Sequence, residues 1–281
     1  MIIVILAVVG LCLGSFVNAL VWRVHEQAEQ AKTKKKPDKA YAKRLSIATG
    51  KSMCPHCHHE LVAKDLVPLL SWLSLGGKCR YCGRPIAKQY PLVELATALL
   101  FIASYVWWPA ALHGFEIGVF VWWLILLVGL MALTVYDLRW FLLPNRILYP
   151  AGVAAFVMML ISIINADSPL KALLNAVLAV AIGGGIFYAL FQFSEGKWIG
   201  GGDVKLGWLL GLVAGTPGRS VLFIFLASFL GTLVSLSLLK SQRLSKNSLI
   251  PFGPFLIAGL IITQLFGADI LHWYQHTVIH Y

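Results

Sequence analysis

Long apolar segments recur through nearly the whole chain of 281 residues and constrain its fold more than any other feature. A helix needs about 20 apolar residues to cross the hydrocarbon core of a bilayer. The alternating strands that a membrane barrel would need are missing from the sequence. We therefore predict an all-α polytopic membrane protein with about eight transmembrane helices, the sixth of them short and rich in glycine. The predicted segments are 2–22, 92–112, 117–136, 147–164, 172–193, 204–217, 220–239 and 251–271.

The composition agrees with this class, because 59% of the residues are hydrophobic and 12% are charged, whereas about a quarter of a soluble domain is charged. We divide the chain into a first transmembrane helix at 1–22, a polar loop at 23–91 and a core of about seven helices at 92–281. The first segment has neither a basic start nor a small-residue cleavage site, so we expect a retained helix rather than a signal peptide.

The net charge of +11 reflects where the basic residues stand along the chain. Of the 23 Lys and Arg residues, 21 fall on one side of the predicted helices, and only Lys171 and Arg219 fall on the other. Because basic loops stay in the cytoplasm, we place the loop 23–91 there and expect contact with anionic membrane lipid. Nucleic-acid binding is not needed to explain the charge, and we expect none.

The polar loop begins with a basic half and ends with a cysteine-bearing half. In the first half, from Glu26 to Lys51, the run Lys34–Pro37 repels itself. This pattern favours a flexible basic arm, and a docking surface for an acidic partner is the alternative.

The second half carries two Cys-x2-Cys pairs with 21 residues between them. Four thiolates at this spacing can close around one tetrahedral zinc ion, and an insert at about 52–85 is too small to build a sufficient core without such a staple. Disulfides or free redox thiols are the alternatives, although stable disulfides are rare in a reducing compartment. We expect His56, His58 and His59 to be exposed, and Cys12 in the first span to be a small packing residue. The four candidate zinc ligands are Cys54, Cys57, Cys79 and Cys82.

Two carboxylates stand at the ends of predicted spans on the same membrane face. Asp137 closes the third span, and Asp203 opens the sixth after three glycines. Ionisable groups at membrane depth are costly and usually functional. The structural alternatives are an interfacial ion pair between Asp137 and Arg139, and a plain helix N-cap at Asp203. The three glycines permit positive φ and a close approach of a peptide, which a simple cap would not require.

Two carboxylates that meet at one site have a definite chemistry. Like charges a few ångströms apart cannot both ionise, so the pair shares a proton. One carboxylate can then activate water while the protonated partner polarises a peptide carbonyl, which is the logic of aspartic proteases. The sequence does not distinguish the two roles.

The residues around these acids resemble the type IV prepilin peptidases, with several motifs in the order of that family. The Gly-x-Gly-Asp element is also found in presenilin-like and signal-peptide-peptidase-like enzymes, so by itself it indicates only a mechanism class. One departure is Asn145, where Asp is expected after the proline. The matching motifs are Gly10-x3-Gly14-Ser15-Phe16-x-Asn18-x4-Arg23, the cysteine pairs with Asp65-x2-Pro68-x2-Ser71-Trp72 between them, Tyr90-Pro91-x2-Glu94, Asp137-x6-Pro144-Asn145, Gly200-Gly201-Gly202-Asp203-Val204-Lys205 and Pro251-Phe252-Gly253-Pro254-Phe255.

This resemblance implies a bifunctional multi-pass enzyme of the bacterial inner membrane, with its site and zinc-type insert facing the cytoplasm. It would cleave the basic leader of type IV prepilins or type II secretion pseudopilins after a Gly. It would then N-methylate the new terminus, often Phe, with S-adenosylmethionine. Asp137 and Asp203 carry over as the catalytic pair, and the four cysteines as the zinc-type cluster. The methyltransferase activity and its donor rest on the resemblance alone.

Three further features carry alternatives. Glu94 either faces the site or binds the amine of the methyl donor, and the structural alternative is a capping carboxylate in the first turn of its helix. Gly183–Gly185 favour close helix packing over a hinge. His272, His276 and His280 share one helix face, and we expect them in a frayed tail rather than at a metal.

Two other functions compete with the peptidase. A secondary transporter would use Asp137 and Asp203 for ion coupling, but transporters place such groups near the bilayer midplane in inverted repeats. A structural membrane anchor would keep its function after Asp203→Ala. The peptidase is favoured over the transporter because both acids lie at span ends on one face, no internal repeat is evident, and transport leaves the zinc-type insert unexplained.

Overall fold

The computed structural model describes residues 1–32, 39–47, 49–240 and 250–279, and this part of the chain is helical without a named strand. The prediction of an all-α membrane protein is confirmed. A 3₁₀ turn at Ala63–Asp65 and a π-helical turn at Gln275–Ile279 accompany the α-helices. The α-helices are α1 Ile2–Lys32, α2 Lys39–Arg44, α3 Leu70–Ser74, α4 Gln89–Val106, α5 Phe115–Trp140, α6 Asn145–Ile164, α7 Pro169–Phe193, α8 Gly201–Ala214, α9 Pro217–Lys240 and α10 Gly253–Tyr274.

Seven helices in the described part of the chain are long and apolar enough to cross a bilayer. The sixth predicted span corresponds to α8, which has only 14 residues and is therefore about 21 Å long. It falls short of the roughly 30 Å of a bilayer core. The chain divides into two compact units, Met1–Val106 and Trp107–Tyr281.

In the first unit, α1 and α4 pack closely through two glycines of α1. A Cβ atom at Gly10 would lie 2.6 Å from Ala98 Cα, and one at Gly14 would lie 2.6 Å from Glu94 Cα. Asn18, one turn further along, is buried and donates to the Tyr90 carbonyl at 3.1 Å. Cys12 is exposed on another face of α1, so its prediction as a packing residue is wrong. The glycines fill that role instead.

The polar loop begins as helix rather than as a flexible arm. Helix α1 continues to Lys32, and the buried Arg23 donates to the backbone carbonyls of Ser46, Ile47 and Gly50 at 3.0–3.3 Å. The turn that follows α2 is thereby bound to α1, so the prediction of a flexible arm from Glu26 to Lys51 is wrong for these residues. The run Lys34–Pro37 lies outside the described residues.

In the second unit, α7 and α8 cross at glycines. A Cβ atom at Gly207 would lie 2.5 Å from the Gly183 carbonyl oxygen, and one at Gly184 would overlap the Trp208 ring. The predicted packing role is confirmed for Gly183 and Gly184, whereas Gly185 faces open space. The crossing fixes α8, which carries Asp203 one turn before Gly207.

Helix α10 closes the second unit and continues into the π-helical turn. The rings of His272 and His276 lie 4.3 Å apart in helical backbone, so the prediction of a frayed tail is wrong for these two residues. His280 lies outside the described residues. In the described chain, the only cluster of metal-ligating side chains found is in the first unit.

Candidate active site and metal centre

Asp137 lies in the last turn of α5 with 5% of its surface exposed. Its carboxylate accepts a hydrogen bond from the backbone N–H of Gly253, the first residue of α10. The guanidinium of Arg139 lies 5.3 Å from the centre of the Trp140 ring, and no ion pair with Asp137 occurs in the described structure. The interfacial ion pair proposed as an alternative is therefore wrong.

Asp203 is the third residue of α8 and is half-buried. The N-cap of this helix is Gly200, and the Asp203 carboxylate accepts the Gly200 N–H. Asp203 is thus not the N-cap residue, although its carboxylate satisfies the backbone at the helix start, as acids at the third position do. A carboxylate at this end is also stabilised by the helix dipole.

The two acids lie close enough to interact although 65 residues separate them in sequence. Their carboxylates interact electrostatically, while each is held by a backbone N–H from a helix start. This arrangement brings together the two carboxylates that the sequence singled out. Such a pair can share one proton and present one basic and one acidic oxygen to a peptide bond.

Gly253 is a site residue that the sequence reasoning did not single out, although it stands in one of the matching motifs. A Cβ atom at this position would lie 2.6 Å from Asp137 Oδ2, which is closer than any ordinary contact. Only glycine lets the start of α10 approach the carboxylate and donate to it. The one available signal was a glycine between two prolines at the start of a predicted span.

The glycines before Asp203 act through their small size rather than through positive φ. Gly200 has φ −73°, and neither Gly201 nor Gly202 has positive φ. A Cβ atom at Gly202 would lie 3.2 Å from the Leu143 Cβ, and one at Gly200 would lie 3.6 Å from Asp203 Oδ2. None of the three glycines adopts the positive φ that glycine permits, and the close approach of a peptide stays a prediction.

Lys205 connects the start of α8 to the start of α6. Its ammonium donates to Asn145 Oδ1 at 3.0 Å. This contact gives a structural role to the position where the sequence departs from the expected Asp. The amide accepts one hydrogen bond and leaves the lysine charge unneutralised.

The four cysteines of the insert converge in the first unit. Their sulfur atoms all lie within 4.8 Å of one another, and those of Cys54 and Cys82 are 3.9 Å apart. A tetrahedral zinc–thiolate site with Zn–S bonds of about 2.3 Å needs sulfurs about 3.8 Å apart. The thiols are free rather than paired in disulfides. The cluster can therefore hold a tetrahedral metal.

Each cysteine pair forms a tight backbone turn of the same design. Cys54 N–H donates to His59 O and Cys79 N–H donates to Arg84 O, at 3.0 and 2.9 Å. The fourth residue after each of these cysteines has positive φ, with His58 at 55° and Gly83 at 67°. The two turns place their sulfurs toward one centre. His58 and His59 lie against tyrosine rings outside the cysteine cluster.

Backbone donors tune the buried thiols differently. Burial raises the pKa of Cys54 to about 12, although the N–H groups of Cys57 and His56 oppose this change. Burial also acts to raise the pKa of Cys79, but hydrogen bonds from the N–H groups of Cys82 and Tyr81 help lower it to about 7. These N–H···S hydrogen bonds orient the sulfurs and stabilise the negative charge of a thiolate cluster.

Glu94 joins three parts of the first unit. It lies in the second turn of α4 and is 7% exposed, so its alternative as a first-turn cap is wrong. Its carboxylate accepts the Leu69 N–H at 2.8 Å and a hydrogen bond from Ser15. These bonds give the carboxylate a structural role between α1 and the insert, and its role at the methyl donor stays a prediction.

Comparisons with known proteins agree with these features. Residues 8–108 match the Bacterial Peptidase A24 N-terminal domain, and residues 124–236 match the Type IV leader peptidase family. A prepilin leader peptidase/N-methyltransferase of Bacillus subtilis is 34% identical over 230 residues, which are 82% of this chain and 87% of the relative. One from Pseudomonas aeruginosa is 34% identical over 280 residues, which are 94% and 90% of the two chains. No solved structure gives a significant match. The chain therefore belongs to the type IV leader peptidase family.

Proposed function

We propose that this protein cleaves the leader peptide of type IV prepilins or type II secretion pseudopilins and that Asp137 and Asp203 are its catalytic pair. The observation that carries the proposal is the electrostatic interaction between these two carboxylates, one in the last turn of α5 and one in the first turn of α8. Family membership defines the reaction, and the geometry supports the assignment of residues. The N-methylation of the new terminus follows from the same membership.

Hydrolysis follows from the shared proton of the pair. The ionised carboxylate takes a proton from water, and the resulting hydroxide attacks the scissile carbonyl carbon. The protonated carboxyl donates to the carbonyl oxygen and stabilises the negative charge that develops there. Collapse of the tetrahedral intermediate breaks the C–N bond, and the amine leaves with a proton from the pair. Gly253 holds Asp137 in place throughout this cycle.

The substrate matches the position of the pair. A prepilin with a basic leader and an apolar segment presents their junction at the cytoplasmic face of the inner membrane. The excess of basic residues in the loops on the side of Asp137 and Asp203 supports a cytoplasmic position for both acids. Cleavage after a Gly at this junction would release the leader to the cytoplasm and keep the apolar segment in the membrane.

The four-cysteine cluster is proposed to hold a structural zinc ion. The spacing of the sulfurs fits a tetrahedral site, and Cys54, Cys57, Cys79 and Cys82 fill every position of it. A closed site of this kind stabilises the fold of a small insert rather than supplying a catalytic water. The zinc would join the two turns of the insert.

The methyl donor is proposed to be S-adenosylmethionine, as the resemblance implies. Glu94, the candidate for binding its amine, accepts hydrogen bonds from Leu69 and Ser15 and so has a structural role within the first unit. We therefore assign no residue to methyl transfer.

The test of the catalytic pair is cleavage of a prepilin by the full-length chain in membranes. Asp137→Asn and Asp203→Asn each keep the side-chain shape and remove the acid, so each should abolish cleavage. Asp167→Asn, at an exposed acid between α6 and α7, is the matched control and should cleave like the wild type. Helix content and bound zinc should not change in any variant. Cleavage by either active-site variant would refute the two-aspartate mechanism.

A further inference from the structure

The insert exposes an unusually apolar segment between its two cysteine pairs. We define the interfacial segment as residues 66–73. Its side chains Leu66, Val67, Leu70 and Leu73 are 38, 42, 65 and 65% exposed. Leu70 and Leu73 are three residues apart on α3 and therefore share a face. The remaining large side chain of this helix, Trp72, turns toward the insert and donates to Ile86 O at 3.2 Å.

The contact with Glu94 places this segment at membrane depth. Helix α4 has only 18 residues, about 27 Å at 1.5 Å per residue, so nearly all of it is needed to cross the roughly 30 Å core. Glu94 is the sixth residue of α4, about 7.5 Å along the helix axis from its start. Because Leu69 N–H donates to Glu94 at 2.8 Å, the segment lies beside the spanning helix rather than above it.

Backbone N–H groups of the interfacial segment have partners within the protein, as contact with lipid requires. Lipid-facing backbone N–H groups need partners within the protein, because the bilayer offers none. Leu70 donates to Pro68 O, Ser71 to Val67 O and Leu73 to Leu69 O, at 2.6–3.0 Å. Leu69 adopts φ +60°, a strained conformation for a residue with a side chain. This conformation accompanies the hydrogen bond from its N–H to Glu94.

Basic residues frame the segment. Lys64 and Lys78 lie on either side of it in the chain, and Lys88 stands immediately before α4; all three are exposed. Cations beside an apolar surface favour the anionic headgroup region of a membrane. We propose that residues 66–73 insert into the membrane interface and anchor the zinc-type insert to the bilayer, with Leu70 and Leu73 in contact with lipid chains. This inference does not depend on the proposed catalytic pair.

Nitroxide accessibility tests this contact in the full-length chain, reconstituted in vesicles of phosphatidylethanolamine and phosphatidylglycerol. A ketone-bearing amino acid at position 70 or 73 takes the label without involving the native cysteines. The matched control is Lys43, exposed at the end of α2. We expect labels at 70 and 73 to collide with oxygen more than with a water-soluble nickel chelate, and the label at 43 to show the reverse. Retained zinc in each labelled protein is the check on folding.

Three results would overturn the inference. The first is labels at 70 and 73 as accessible to the chelate as the label at 43. The second is that the chelate reaches the labels at 70 and 73 until a prepilin is added and then no longer reaches them, which would assign the surface to the substrate. The third is protection from both reagents that dilution into more lipid relieves, which would assign it to a second copy of the chain.

Discussion

At the scale of single residues, Gly253 is the position where a small change should affect the chemistry most. Its N–H donates to Asp137, and a Cβ atom would lie 2.6 Å from the carboxylate oxygen. Gly253→Ala must therefore displace either Asp137 or the start of α10. A displacement of about 1 Å costs on the order of 100-fold in rate, so we expect prepilin cleavage to fall by about 10- to 100-fold, measured as initial rate.

Gly118→Ala is the matched control for this prediction. Gly118 also lies in the first turn of a membrane helix, and a Cβ atom there meets nothing within 4 Å. The Gly118→Ala enzyme should cleave prepilin at the wild-type rate, and both variants should keep wild-type helix content. An active Gly253→Ala enzyme would show that the contact with α10 does not position Asp137.

The residues of the site were predictable to the extent that their chemistry is unusual in a membrane. Asp137 and Asp203 are rare acids at the ends of apolar segments, and the four cysteines have zinc-site spacing, so both groups were visible in the sequence. Gly253 acts through its backbone and a missing side chain, which only the approach of α10 to α5 reveals. The same limit explains Cys12, because burial on one face of α1 depends on which neighbour packs there.

At the scale of elements, the crossing of α7 and α8 is expected to control the position of Asp203. A Cβ atom at Gly207 would lie 2.5 Å from the Gly183 carbonyl oxygen and 2.7 Å from the Phe187 ring. Neither backbone can yield without moving a helix, so Gly207→Ala should lower the thermal midpoint of unfolding and slow cleavage together. Overpacking of this kind costs about 1–3 kcal/mol.

Gly185→Ala is the control for the crossing, since it adds a methyl group to the same region of α7 in open space. Alanine is the better helix former by about 1 kcal/mol, so this variant should be at least as stable as the wild type. Thermal unfolding of both variants in detergent, followed by helix content, measures the difference. Equal midpoints would mean that the helices are not in close contact at Gly207.

The presence of the membrane helices was predictable, because the length of an apolar segment identifies a span. The residues at which the helices begin and end were not predictable in this way. Helix α1 runs to Lys32, ten residues past its predicted end, because Arg23 and Gln27 bind the turn after α2 and make the continuation part of the first unit. No apolar pattern marks such a continuation. Conversely, α8 was predicted at 204–217 and found at Gly201–Ala214, because Gly201 and Gly202 belong to its first turn.

At the scale of the whole molecule, the membrane topology depends on whether the short helix α8 crosses the bilayer. The starts of α6, α8 and α10 share one face of the second unit, because Lys205 binds Asn145 and Gly253 binds Asp137. Helix α9 begins deep on the other side, where Ser220 donates to Ala179 O at 2.9 Å, about 21 Å along α7 from its end. We therefore expect α8 to make a pass that α9 reverses.

Reporter fusions after Lys197 and after Lys240 test this crossing without assuming an absolute orientation. If α8 and α9 each pass through the membrane, both fusion points lie on the same side; if α8 does not, they lie on opposite sides. We expect green fluorescent protein to be fluorescent and alkaline phosphatase inactive at both points, which also places the catalytic face in the cytoplasm, as the basic loops predict. A fusion after Asp167 should show the reverse. Opposite reports at Lys197 and Lys240 would separate the start of α10 from that of α8, and the pairing of Asp137 with Asp203 beside Gly253 would not be possible in the membrane.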